Sequence, residues 1–168
     1  MVVYVGSLVF AAVLITAALF DLRSLEIPNW LSLLLIVAFA VAALAGDPAF
    51  AVLMAGLATG AATLIGGLVL FRLGWLGGGD VKLLAAATPW FGWQVVLEFL
   101  LAVALCGGLL ALLLLLFRRL ARGRFGAWGE DWKGVWGENG EIPYGVAICA
   151  AGLFLWERLL PGLGPVAL

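Results

Sequence analysis

Two aspartates in an otherwise apolar chain carry the chemistry. Asp80 follows Gly77, Gly78 and Gly79 and precedes Lys82, and Asp21 closes a long apolar run just before the polar stretch from Arg23 to Asn29. Two carboxylates held close together in a low-dielectric site cannot both ionise easily, so one pKa rises and the pair shares a proton. Such a pair can act as acid and base at once: the ionised member takes a proton from water while the protonated member polarises a peptide carbonyl. Position alone has a blander account, since acids at helix ends are common in membrane proteins. The surroundings favour chemistry. The glycines clear side-chain bulk before Asp80, so a substrate backbone can approach it. Asp80 then falls in the first turn of a helix, where the macrodipole favours the ionised form and Lys82 adds a positive charge. After Asp21, Pro28 suits the first turn of the next helix, and Asn29 can hydrogen-bond the backbone near that start.

Other chemistries find little material. Histidine is absent, and the only two cysteines, Cys106 and Cys149, stand alone in apolar runs. Neither a four-cysteine nor a mixed cysteine/histidine zinc site can form from them, so they read as small packing residues and no metal or cofactor is expected. The net charge of -1 leaves no basic surplus to neutralise phosphates, which sets nucleic acid aside as a partner.

Membrane helices must position the two aspartates. The 168-residue chain is 65% hydrophobic and 11% charged, with a mean hydropathy of +1.20, which marks an integral membrane protein. Nearly every segment is needed to cross the bilayer or to join two crossings, so residues 1–168 read as a single membrane-embedded domain. Apolar runs at about 2–20, 29–46, 49–71, 81–93, 95–117 and 143–160 predict an all-α polytopic bundle of about six transmembrane helices. The first run is too long for a signal-peptide core and lacks a basic leader and cleavage site, so it reads as a helix that stays. The fourth carries Pro89 and is short, which calls for tilt or shelter by its neighbours.

Charge sets the orientation. In a six-crossing arrangement Arg23, Arg72, Lys82, Arg118, Arg119, Arg122, Arg124 and Lys133 share one side, leaving only Arg158 of the nine basic residues opposite. The positive-inside rule places those loops, and both aspartates, in the cytoplasm and both termini outside. Arg118 to Arg124 would fix topology and meet anionic lipid headgroups. The rest of the loop to Glu141 carries Phe125, Trp128, Trp132 and Trp136 at helical spacing, which suggests a short interfacial helix weakened by its glycines. Gly56 and Gly60 form a G-x-x-x-G where another helix can approach closely, and Trp30, Trp75, Trp90, Trp93 and Trp156 fall near predicted interfaces. Asp47 reads as a turn residue and Glu98 as an acid hydrated at the outer interface.

Three stretches resemble the type IV prepilin peptidases. "DLRSLEIPNWL", Asp21 to Leu31, is similar to their first signature, "GGGDVKLLAA", Gly77 to Ala86, to their G-x-G-D signature, and "IPYGVAICAAG", Ile142 to Gly152, to a third stretch. The resemblance implies a multi-pass aspartic endopeptidase of the bacterial inner membrane that removes the basic leader of pilin-like precursors at the cytoplasmic face. Carried over by position, Asp21 and Asp80 would be the catalytic pair and Gly77 and Gly79 the fixed glycines, with Lys82, Pro28, Asn29, Pro143, Tyr144 and Gly145 in support. Many relatives also carry a four-cysteine cytoplasmic domain and methylate the new pilin terminus. This chain lacks those cysteines and has Val146 where longer members have proline after "IPYG", so it looks like the short, peptidase-only branch of the tight-adherence, Flp type. A preflagellin peptidase, a presenilin-type protease and a small transporter or scaffold using the aspartates as an ion site are the rival readings.

Overall fold

The computed structural model describes residues 2–45, 49–120 and 142–159, and among them every regular element is a helix. In order these are α1 (Val2–Ser24), α2 (Asn29–Leu44), α3 (Ala49–Arg72), α4 (Gly78–Ala87), α5 (Gly92–Leu120) and α6 (Tyr144–Phe154), with 3₁₀ turns at Thr88–Phe91 and Trp156–Arg158. Helix is the form such a sequence must take, because lipid offers no partner for backbone N–H and C=O groups and a helix satisfies them internally. The 3₁₀ turn joins α4 to α5, so the helices fall into five stretches. Three of these, Val5–Ser24, Phe50–Arg72 and Gly78–Leu120, are long and apolar enough to cross a bilayer, and α2 and α6 are shorter apolar helices. The chain is a multi-pass membrane protein.

Each expected apolar run contains a helix, but two limits differ in ways that matter. α1 runs on to Ser24, so Asp21 sits inside its last turn instead of ending it, and α4 begins at Gly78, so Asp80 lies within the helix. The expected interfacial helix, Phe125 to Trp136, lies outside the described residues, as does Asp47.

Neighbouring helices run antiparallel and meet at glycines. A Cβ on Gly60 would lie 3.0 Å from the Ala85 carbonyl oxygen and 3.1 Å from Pro89 Cγ, and one on Gly67 would lie 2.7 Å from Val81 Cγ1. The anticipated close approach at G-x-x-x-G is therefore real: Gly56 faces the Phe39 ring of α2 and Gly60 faces α4. α5 turns back at Gly92, whose φ of +62° suits a residue without Cβ. Along the α5–α6 pair Gly107 meets Tyr144, while Glu98 accepts an ion pair from Arg158 at 3.1 Å near the opposite end.

The centre of the bundle is aromatic. Trp90 is fully buried, 5.3 Å from the Phe10 ring and 6.0 Å from that of Phe39, and its Nε1–H donates to the Leu35 carbonyl at 3.2 Å. This corrects the interfacial expectation for Trp90. The 3₁₀ turn tucks it inward against Gly6, where a Cβ would only just touch the indole at 3.4 Å, and Leu35 supplies the acceptor that water would otherwise provide. Trp30, Trp75 and Trp93 are exposed, and Trp156 is half-buried. Cys149 is buried and Cys106 half-buried within the helices, in keeping with packing roles.

Candidate active site

α1 ends in a tight cap beneath Asp21. Leu25 takes the left-handed conformation, with φ +55°, and its N–H donates to the Asp21 carbonyl at 2.9 Å. Glycine usually fills this position after a helix, because a Cβ there costs about 1 kcal/mol or more. The chain then runs extended through Pro28, the N-cap of α2. Pro28 thus stands one residue ahead of the expected first turn, where its fixed φ and missing N–H suit the junction.

Ile27 is the spacer between three segments. It is buried, and a Cβ on Gly79 would fall 3.2 Å from Ile27 Cβ, while one on Gly145 would fall 3.1 Å from Ile27 Cδ1. The starts of α4 and α6 therefore close on the same side chain from two directions, and each can do so only because it presents a glycine.

Each carboxylate is held by a glycine N–H at a helix start. Asp21 is 4% exposed, and its Oδ2 accepts a 2.6 Å hydrogen bond from the N–H of Gly145, the second residue of α6. Asp80 is half-buried in the first turn of α4, and its Oδ2 accepts from the N–H of Gly77, the N-cap residue, at 3.2 Å. Both acids thus face the positive end of a helix dipole, α6 for Asp21 and α4 for Asp80. Both line one cavity of about 560 Å³ at this end of the bundle, together with Leu25, Gly77, Gly79, Lys82, Asn29 and Tyr144. That volume lies within the range of about 300–1,000 Å³ usual for ligand sites.

The remaining predicted residues divide by role. Lys82 Nζ donates to Asn29 Oδ1 at 3.0 Å, which ties the second turn of α4 to the start of α2. Asn29 therefore does not act as the backbone cap expected of it, because its carbonyl oxygen is engaged by the lysine. Pro143 is the buried N-cap of α6, Tyr144 packs on Gly107 of α5, and Gly145 backs Asp21. Ile27, Leu25 and Gly107 were not singled out from the sequence. Leu25 and Ile27 are the two large apolar residues in the polar stretch from Arg23 to Asn29, but nothing in that pattern says what either packs against, and Gly107 left no signal. Among the described residues no group of three or more His, Cys, Asp or Glu side chains could hold a metal ion.

The profile described as the type IV leader peptidase family matches residues 8–112. The match takes in Asp21, Ile27, Gly77, Gly79, Asp80 and Lys82 and stops before the Pro143–Tyr144–Gly145 segment. No curated protein and no solved structure matches the chain.

Proposed function

The chain belongs to the type IV leader peptidase family and is an aspartic-type prepilin peptidase, and from that premise we propose that Asp21 and Asp80 are its catalytic pair. The family is an inner-membrane one and implies prepilin substrates; the non-enzymatic ion-site reading is thereby set aside. The observation that carries the proposal is that these two acids, from the last turn of α1 and the first turn of α4, line a single cavity. Each is anchored through one oxygen by a backbone N–H.

A precursor lies with its apolar helix in the bilayer and its short basic leader in the cytoplasm, so membrane depth brings the scissile bond to the aspartates. One aspartate, ionised, takes a proton from water as the water oxygen attacks the carbonyl carbon, and the protonated partner gives its proton to the carbonyl oxygen. The tetrahedral intermediate then collapses. The C–N bond breaks, the leaving amine takes a proton from the newly protonated carboxyl, and a hydroxyl proton returns to the other carboxylate. The pair ends the cycle sharing one proton, as it began. Backbone N–H donors need no side-chain rotamer to be fixed, so the carboxylates are positioned before substrate arrives.

Orientation and branch follow the same reading. Six crossings with both termini outside are supported by the antiparallel run of neighbouring helices and by the side shared by eight basic residues. They put the cavity at the cytoplasmic face of one membrane-embedded domain. Val146 after Gly145 supports the Flp-type branch that cleaves without methylating the product. In membranes supplied with a precursor bearing a basic leader, Asp21→Asn and Asp80→Asn should each lower processing by at least about 10²-fold. Processing retained by either variant sinks the assignment.

A further inference from the structure

The cavity that holds the aspartates adjoins a groove in the side of the bundle. Asn29 and Lys82 line the cavity, and the same two residues line the groove, which holds about 370 Å³ between α2, α3 and α4. The groove has a floor of small residues, Gly60 from α3 with Ala85 and Ala86 from α4, and apolar walls that include Ile36 of α2 and Leu57 of α3. α2 and α3 meet where the Phe39 ring sits against Gly56; nearer the aspartates the groove opens between them over Lys82 and Ala85 of α4. The lined stretch of α2, from Asn29 to Ile36, rises about 10 Å, or two helical turns.

One atom in this groove is out of keeping with an apolar wall. Ser32 is 7% exposed, and its Oγ makes no hydrogen bond among the described residues. A buried hydroxyl without a partner is costly, and lipid chains cannot supply one.

We propose that this groove docks the apolar helix of the precursor and delivers the adjoining leader segment to the cavity. The inference rests on the prepilin peptidase reading above. It commits to a peptide helix on three grounds. The small side chains of Ala61, exposed, and Ala85, half-buried, let a second helix backbone approach closely. A peptide carries backbone and side-chain groups that can meet the Ser32 hydroxyl. Only the Lys82–Asn29 pair, a side-chain hydrogen bond at the surface, separates the groove from the cavity, so a chain leaving the groove over that pair reaches Asp21 and Asp80, whose carboxylates suit a basic leader. The groove therefore reads the part of the substrate that stays in the membrane, and the cavity reads the part that is cut away.

The test compares two substrates, the full precursor in vesicles and a soluble peptide holding only the leader and cut site. Ala61→Trp places an indole in the groove, where Ala61 is exposed. The ratio of precursor to peptide cleavage, each as kcat/KM, should fall at least tenfold. Leu105→Trp, on the open face of α5 where Leu105 is 66% exposed, should leave the ratio unchanged. An unchanged ratio in Ala61→Trp, or an equal fall in Leu105→Trp, overturns the proposal. A binding readout that does not depend on turnover uses the Asp80→Asn enzyme without Cys106 and Cys149, and a precursor with one cysteine in its apolar helix. A cysteine at Ala61 should form a disulfide with it, and one at Leu105 should not. Absence of the Ala61 crosslink, the result expected if lipid alone fills the groove, also overturns it. Failure of the catalytic assignment is seen separately, as cleavage by Asp80→Asn.

Discussion

Adding one methyl group at Gly145 should disable the site while leaving both aspartates in the chain. A Cβ there would stand 2.8 Å from Asp21 Oδ2, 3.1 Å from Asp21 Cβ and 3.1 Å from Ile27 Cδ1. Unbonded carbon contacts prefer about 3.5–4.0 Å, so Asp21 or the start of α6 must retreat by roughly 0.5–1 Å. Two independent estimates then agree. A displacement of about 1 Å at reacting groups costs on the order of 10²-fold in rate. Loss of the 2.6 Å hydrogen bond from the Gly145 N–H to the carboxylate removes about 1.5–3 kcal/mol, which is roughly ten- to a hundredfold. We therefore expect Gly145→Ala to lower kcat for precursor cleavage by about 10²-fold, with KM little changed because the groove is untouched. The assay is precursor processing in vesicles at matched enzyme levels, with thermal unfolding measured in parallel. Gly66→Ala is the control, since a Cβ at Gly66 meets nothing within 4 Å and the same methyl should be silent there. If Gly145→Ala cleaves within twofold of the wild type while folded, Gly145 does not position Asp21.

The other tests address the spacer and the core. Gly79→Ala should reduce cleavage by about tenfold, because its Cβ presses on Ile27 at 3.2 Å, whereas Gly78→Ala, whose Cβ meets only the Phe71 ring at 3.5 Å, should stay within about twofold. Equal rates for the two would remove Ile27 from the positioning of Asp80. Trp90→Phe loses the hydrogen bond to the Leu35 carbonyl and part of a fully buried ring, at a cost of about 2 kcal/mol. The thermal midpoint should fall by about 5 °C with the processing rate preserved, and a rate that fell with an unchanged midpoint would tie Trp90 to the site instead of the core.

What the sequence revealed was whatever is repeated or scarce. Charges are rare in this chain, so Asp21 and Asp80 stood out, and counting basic residues put both on one membrane face; that they line one cavity is visible only in the fold. The contact at Gly56 and Gly60 was legible for a similar reason, because small residues one helical turn apart have one obvious use. Trp90 was misplaced because hydropathy does not tell a tryptophan at the lipid interface from one whose indole N–H finds a carbonyl inside. The Lys82–Asn29 hydrogen bond joins residues 53 positions apart, and nothing local to either residue signals it. Ile27 escaped notice because its importance lies in the two glycines that close on it, and that packing exists only once three separate segments have met.

The hydrogen bond from Gly145 to Asp21 also has a meaning in time. It joins residues 124 positions apart, across almost the whole described chain. During synthesis α1 and α4 are both made well before α6, so each acid is present in the bilayer while Asp21 still lacks its N–H donor. A partly synthesised chain, or one cut short before Pro143, holds its acids without the contact that aligns them. On the proposed assignment, proteolytic competence waits until α6 has been made and has packed against α1.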